Sequence, residues 1–157
     1  MTQRLQKLIF MARRVCADYN ITLPRIIQDN RIRPTAGANY YRNRIRINMK
    51  ATAHWDIIDL YHTLFHELGH LAEGGAPYKT DEEIQNSEHF AEKFAIECTK
   101  KYFPHIDIFK LRHFHPGRIL YLAEHFENHF RAYVKIPEYR EVCKSILLKR
   151  LQKRKNT

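Results

Sequence analysis

A chain of 157 residues has the length of one ordinary domain and can close a core without disulfide staples. Its cysteines, Cys16, Cys98 and Cys143, are odd in number and form no C-x-x-C, which disfavours a cross-linked secreted scaffold and suits a reducing, cytoplasmic setting. The longest apolar run near the start, residues 8–12, is too short for a signal-peptide core or a membrane span, so a membrane is not an expected partner.

The net charge of +10 is unevenly spread. Residues 1–50 hold 11 Lys+Arg against 2 Asp+Glu, residues 51–100 hold 3 against 10, and residues 101–157 hold 13 against 5. Two basic flanks around an acidic middle suggest an anionic partner such as nucleic acid, although a merely basic, solvated surface accounts for the same numbers.

Taken in chain order, residues 3–19 predict a helix with Leu5, Leu8, Ile9, Ala12, Val15, Cys16 and Tyr19 on its apolar face. A short strand is expected within residues 21–28, after Pro24. Residues 31–39 read as turn-rich, through Pro34 and Gly37. Tyr40-Tyr41 and residues 44–48 then alternate, predicting a hairpin or the edge of a small sheet with a tight turn near Arg42-Asn43. Ile57, Tyr61, Leu64, Leu68 and Leu71 predict an amphipathic helix whose polar stripe is Asp59, His62, His66, His70 and Glu73. Gly74-Gly75 and Pro77 should end it, leaving residues 78–80 as a substrate rim.

The next predicted helix starts near Thr80 or Asp81, with Thr80 and Glu83 as a capping box, and runs to about Tyr102. Asn86 or Ser87 is an alternative start, and Phe90, Phe94 and Cys98 are expected on its buried face. Residues 118–134 predict a helix with Ile119, Leu122, Phe126 and Phe130 inward. Pro137 introduces a last helix carrying Val142, Ile146, Leu147 and Leu151, ending in a frayed basic tail at about 149–157.

The chemistry concentrates in His66-Glu67-Leu68-Gly69-His70, an H-E-x-x-H pattern. Residues four apart share a helix face, so both imidazoles can reach one Zn²⁺ while Glu67 projects beside them as general base for a metal-bound water. Gly69 costs about 1 kcal/mol against Ala inside a helix, which points to a packing reason. A catalytic zinc takes a third protein ligand and keeps one position open. Glu88 is the favoured third ligand, because Glu92 lies one turn on and can accept a hydrogen bond from a ligand histidine. His89 is the rival ligand. Ala91 and Ala95 would let the two helices approach closely. His113, His115 or Tyr121 is a candidate oxyanion stabiliser. His125 and His129 repeat the four-residue spacing, so a second metal site is conceivable, but without a neighbouring acid structural histidines are the stronger reading.

Thr35-Ala36-Gly37, Tyr40-Tyr41 and Ile45-Arg46-Ile47-Asn48 ahead of H-E-L-G-H-L resemble the core of SprT-like metallopeptidases. Their third ligand is a histidine in a motif that His89-Phe90 does not meet. The stretch 63–70 with Glu88-His89-Phe90-Ala91-Glu92 downstream is similar to ImmA/IrrE-type peptidases and to the zincin domain of ArdC-type antirestriction proteins. These resemblances imply zinc at His66, His70 and Glu88, Glu67 as general base, and a DNA-associated or mobile-element setting. The expectation is therefore a single α+β zincin-like domain over residues 1–157, mostly helical, with a small sheet or hairpin beside the motif helix. Its function would be zinc-dependent hydrolysis of a protein or peptide substrate, with a substrate strand adding to an edge at residues 45–48. The other expected class is a nucleic-acid-binding or antirestriction-type protein whose zinc is not catalytic.

Overall fold

The first helix, α1 (Gln3–Tyr19), has the predicted bounds. Thr2 caps it by accepting a hydrogen bond from the Leu5 amide at 3.2 Å. Asn20 ends it in the left-handed region (φ 54°), a conformation that asparagine tolerates better than most residues. Leu8, Ala12 and Val15 on its inner face are fully buried. Each large aliphatic side chain sealed this way contributes roughly 1.5–3 kcal/mol. The computed structural model describes residues 1–33, 35–74, 78 and 80–157. The expected contributions of Pro34, Gly75, Pro77 and Lys79 to turns and to the rim lie outside these residues.

The described chain forms a mostly helical α+β fold that clusters into two compact units. The first comprises residues 1–77 and 90–106, the second residues 78–89 and 107–157. In the first, three strands, β1 (Arg25–Gln28), β2 (Ala36–Asn39) and β3 (Arg44–Ile47), make one sheet in the order β1-β3-β2. β3 pairs parallel with β1 and antiparallel with β2. This corrects the expected edge at residues 45–48: β3 is the central strand, and both of its flanks are occupied. The missing element was β2, whose Ala-Gly-Ala-Asn sequence has little strand propensity and is extended by its pairing with β3. The tight turn falls as expected, with Asn43 at φ 43° and its amide donating to the Tyr40 carbonyl at 3.1 Å. Ile45 and Ile47 are fully buried on the inner face.

The motif helix is α2 (Ile57–Glu73). Asp56 supplies no side-chain cap, and the segment before it is tied instead to α1, where the Arg4 guanidinium donates to the Trp55 carbonyl at 2.8 Å. α2 is more deeply buried than an amphipathic surface helix: Asp59, His62 and His66 of the expected polar stripe are buried along with Leu60, Leu64, Phe65 and Leu68. Gly74 ends it at φ 73°.

α3 (Asp81–Tyr102) is continuous past Asn86 and Ser87, and Thr80 accepts from the Glu83 amide at 3.1 Å. Its residues from Phe90 onward belong to the first unit, those before it to the second. Ala91, Ala95 and Cys98 are fully buried, but Phe90 is 43% exposed, against expectation. Phe90 follows Glu88 by only two residues, so it turns away from the face that carries Glu88, Ala91 and Glu92.

In the second unit the expected helix over 118–134 is two helices, α4 (Pro116–His125) and α5 (Glu127–Val134), interrupted at Phe126 (φ −137°, ψ 68°). Phe126 is accordingly 40% exposed rather than inward. Phe114, Tyr133 and Tyr139 stack at centroid distances of 4.3 and 4.8 Å beside Ile119 and Phe130. α6 (Arg140–Lys155) buries Cys143 and Ile146 but leaves Leu147 and Leu151 outside, and it stays helical through the basic tail expected to fray. Among the described residues no helix is long and apolar enough to cross a membrane.

Candidate metal centre

Three histidines one turn apart, His62, His66 and His70, line one stripe of α2. α3 can face them closely because Gly69 has no side chain. A Cβ there would stand 2.8 Å from the Ala91 Cα, 3.0 Å from its carbonyl oxygen and 3.2 Å from the Phe94 Cβ. The packing reason inferred for Gly69, and the close approach inferred for Ala91, are both met in this contact.

Across that contact lies Glu92, fully buried. One carboxylate oxygen stands 2.7 Å from His66 Nδ1 and the other 2.8 Å from His62 Nε2. A carboxylate only accepts, so each facing ring nitrogen carries the hydrogen. His66 is thereby held as the Nδ1–H tautomer with its Nε2 lone pair turned outward. His62 Nδ1 completes the chain at 2.7 Å from Thr99 Oγ1. A carboxylate and two imidazoles sealed from water would be costly without these bonds.

His66 Nε2 lies 3.2 Å from His70 Nε2, with the two rings at 79°. A tetrahedral zinc with Zn–N bonds of ~2.0–2.1 Å sets its nitrogen ligands about 3.3–3.4 Å apart. Glu88, buried and one turn before Glu92 on the same helix, and its rival His89, half-buried, both belong to the second unit. Within the first unit, two imidazole nitrogens at this separation with a hydrogen-bonded acid behind the first histidine fit a zinc ion. Glu67, next to His66, is buried in the same helix.

The remaining candidates lie in the second unit. His113 is buried, His115 caps α4 by accepting from the Gly117 amide at 3.0 Å, and Tyr121 is 54% exposed with its ring 4.6 Å from that of His125. His125 and His129 do not share a helix, because the break at Phe126 separates them. His129 turns instead to Glu88, its Nε2 3.2 Å from Oε1. Two participants were missed at the sequence level. The repeat His62-x3-His66-x3-His70 would have picked out His62, whereas nothing local marks His129 as the neighbour of Glu88. No protein-family model matches the chain, and neither the curated proteins nor the solved structures contain a significant match.

Proposed function

We propose that the chain is a zinc-dependent metallopeptidase of the minimal H-E-x-x-H kind, related to the ImmA/IrrE-type, ArdC-type or SprT-like zincins, that cuts a protein substrate in a DNA-associated or mobile-element context. The observation that carries this reading is the 3.2 Å approach of His66 Nε2 to His70 Nε2 while the other nitrogen of His66 is fixed by a buried carboxylate. His66, His70 and Glu88 would hold the ion. When bound, zinc supplies Lewis acidity, polarising the scissile carbonyl and making a water acidic near neutral pH. Glu67 takes a proton from the attacking water and returns it to the leaving amine. Glu92 acts through His66, fixing its tautomer and ring plane. An extended substrate pairs with β2, since β2 is an edge of the sheet and packs against α2. Three buried, unbridged thiols suit a cytoplasmic setting.

The test is metal content together with cleavage of fluorescently labelled casein. About one zinc per chain is expected, lost in His66→Ala and retained in Glu67→Gln, with cleavage reduced about 10²–10⁴-fold in the latter. Zinc-free wild-type protein would end the reading. Zinc-loaded wild type without cleavage would favour the second reading, a nucleic-acid-binding or antirestriction-type protein with a non-catalytic ion. The strand register, which puts Arg25, Arg44 and Arg46 on one face of the sheet, speaks for that reading.

A further inference from the structure

The sheet has a wet side that the metal centre does not use. Paired residues on neighbouring strands point the same way, so the register assigns each side chain to a face. Arg25 pairs with Arg44 and Ile27 with Arg46, while Gly37 pairs with Arg46 and Asn39 with Arg44. These residues therefore share the face opposite to the fully buried Ile45 and Ile47. The face is open at its β2 edge: a Cβ on Gly37 would meet nothing within 4 Å. On the β1 side the face forms a cleft of about 400 Å³, lined by Ile27, Asp29, Arg31, Arg44 and Arg46 among others.

The charge of this cleft is not balanced. Asp29 is the one acid in its lining, and it serves two cations, Arg31 at 3.1 Å and Arg46 at 3.5 Å. Arg44 makes no ion pair among those found for the described residues, and its Nε is buried without a hydrogen-bond partner. Arg25 adds a fourth, exposed guanidinium in register beside Arg44.

We propose that this face binds the phosphate backbone of a single-stranded nucleic acid. All four cations are arginines, whose planar fork matches phosphate oxygens bidentately. The strands hold Arg25, Arg44 and Arg46 in fixed rows about 4.8 Å apart across and about 6.6–6.8 Å along the sheet, and Arg31 follows just past the end of β1. Ile27, in register beside Arg46, gives the cleft an apolar patch on which a base can lie. A cleft of this kind suits a strand with accessible bases better than a duplex, whose groove is read by a projecting helix or ribbon. The inference is independent of the metal reading, because none of these residues contributes to the zinc site.

The experiment is fluorescence anisotropy of an end-labelled oligothymidylate of about 16 nucleotides with the full chain, between about 50 and 200 mM salt. Wild type should bind, with affinity falling steeply as salt rises. Arg44→Ala/Arg46→Ala should weaken binding roughly tenfold or more and lower the salt slope by about 0.7 for each phosphate contact removed. Lys7→Ala/Arg13→Ala removes the same charge from exposed positions of α1 and should change affinity by less than about threefold. Gly37→Glu places a carboxylate in open space on the same face and should abolish binding even if the double arginine variant folds poorly. Equal losses in the two charge-matched variants, full binding by Gly37→Glu, tighter binding of duplex than of single strand, or no binding by wild type would each overturn the proposal.

Discussion

Two pairs of histidines stand four residues apart in this chain, and their fates differ. His66 and His70 sit on one unbroken helix against a second helix that carries the buried Glu92, and their Nε2 atoms come within 3.2 Å. His125 and His129 have the same spacing, but the backbone leaves the helix at Phe126, and each ring finds a separate neighbour, Tyr121 for one and Glu88 for the other. Spacing therefore becomes geometry only where the helix persists through it and another element delivers the complementary group.

The sharpest way to break the first pair is to remove what orients it. Glu92→Ala leaves two buried imidazole N–H groups facing a void, and each unsatisfied donor costs about 1–3 kcal/mol. Chemical denaturation should show a loss of roughly 2–6 kcal/mol, while His125→Ala, at an exposed position in the second pair, should stay within about 0.5 kcal/mol of wild type. Equal, small losses would mean that the buried acid does not organise α2.

Gly69→Ala comes next. The added methyl must displace the backbone of Ala91, not the tip of a flexible side chain. Overpacking of this kind costs about 1–3 kcal/mol, which exceeds the gain of about 1 kcal/mol in helix propensity. The melting temperature should fall, and zinc uptake should fall with it, because the two helices can no longer close on Glu92. A stabilised variant would show that the contact has slack.

Some of this was legible in the sequence. The period of Leu5, Leu8, Ala12 and Val15 marks the extent of α1, and the spacing of His66 and His70, with Glu92 on the next helix, points to side chains that the fold brings together. Other features had no local signal. Phe126 carries no glycine or proline to announce a break, and Ala36–Asn39 lacks the branched and aromatic residues that mark strands. β3 alternates as an edge strand would, but alternation reports that one face is buried, not how many neighbours a strand has. His62 looked like a wet residue because helical periodicity cannot tell solvent from a second polar helix face.

The comparison sharpens when each member of the second pair is removed in turn. His129→Ala takes away a partner of Glu88, and partners of that kind are worth about 10–100-fold in metal affinity. Competition with a chromogenic chelator should show that loss for His129→Ala and none for His125→Ala. Identical affinities would place Glu88 outside the metal's ligand set.

The smallest effect expected is on the thiols, which report on the two units separately. Burial pushes the Cys98 thiol up to about 12 and those of Cys16 and Cys143 to about 11. The thiolate is the reactive form, so at neutral pH none should react with iodoacetamide in the native protein, and labelling should proceed only through opening. Raising the pH increases the thiolate fraction in whichever conformation is exposed, so rates should climb with pH toward the ordinary thiol value, not toward 11 or 12. Cys98 lies on α3, two turns beyond Ala91, and Cys143 lies on α6. Zinc held at the proposed site would stabilise the native state by mass action. It should therefore slow labelling at Cys98 more than at Cys143, as peptide mapping of the alkylated sites will show. Equal slowing would mean that the chain opens as one cooperative body, and no slowing at Cys98 would mean that the ion is held without α3.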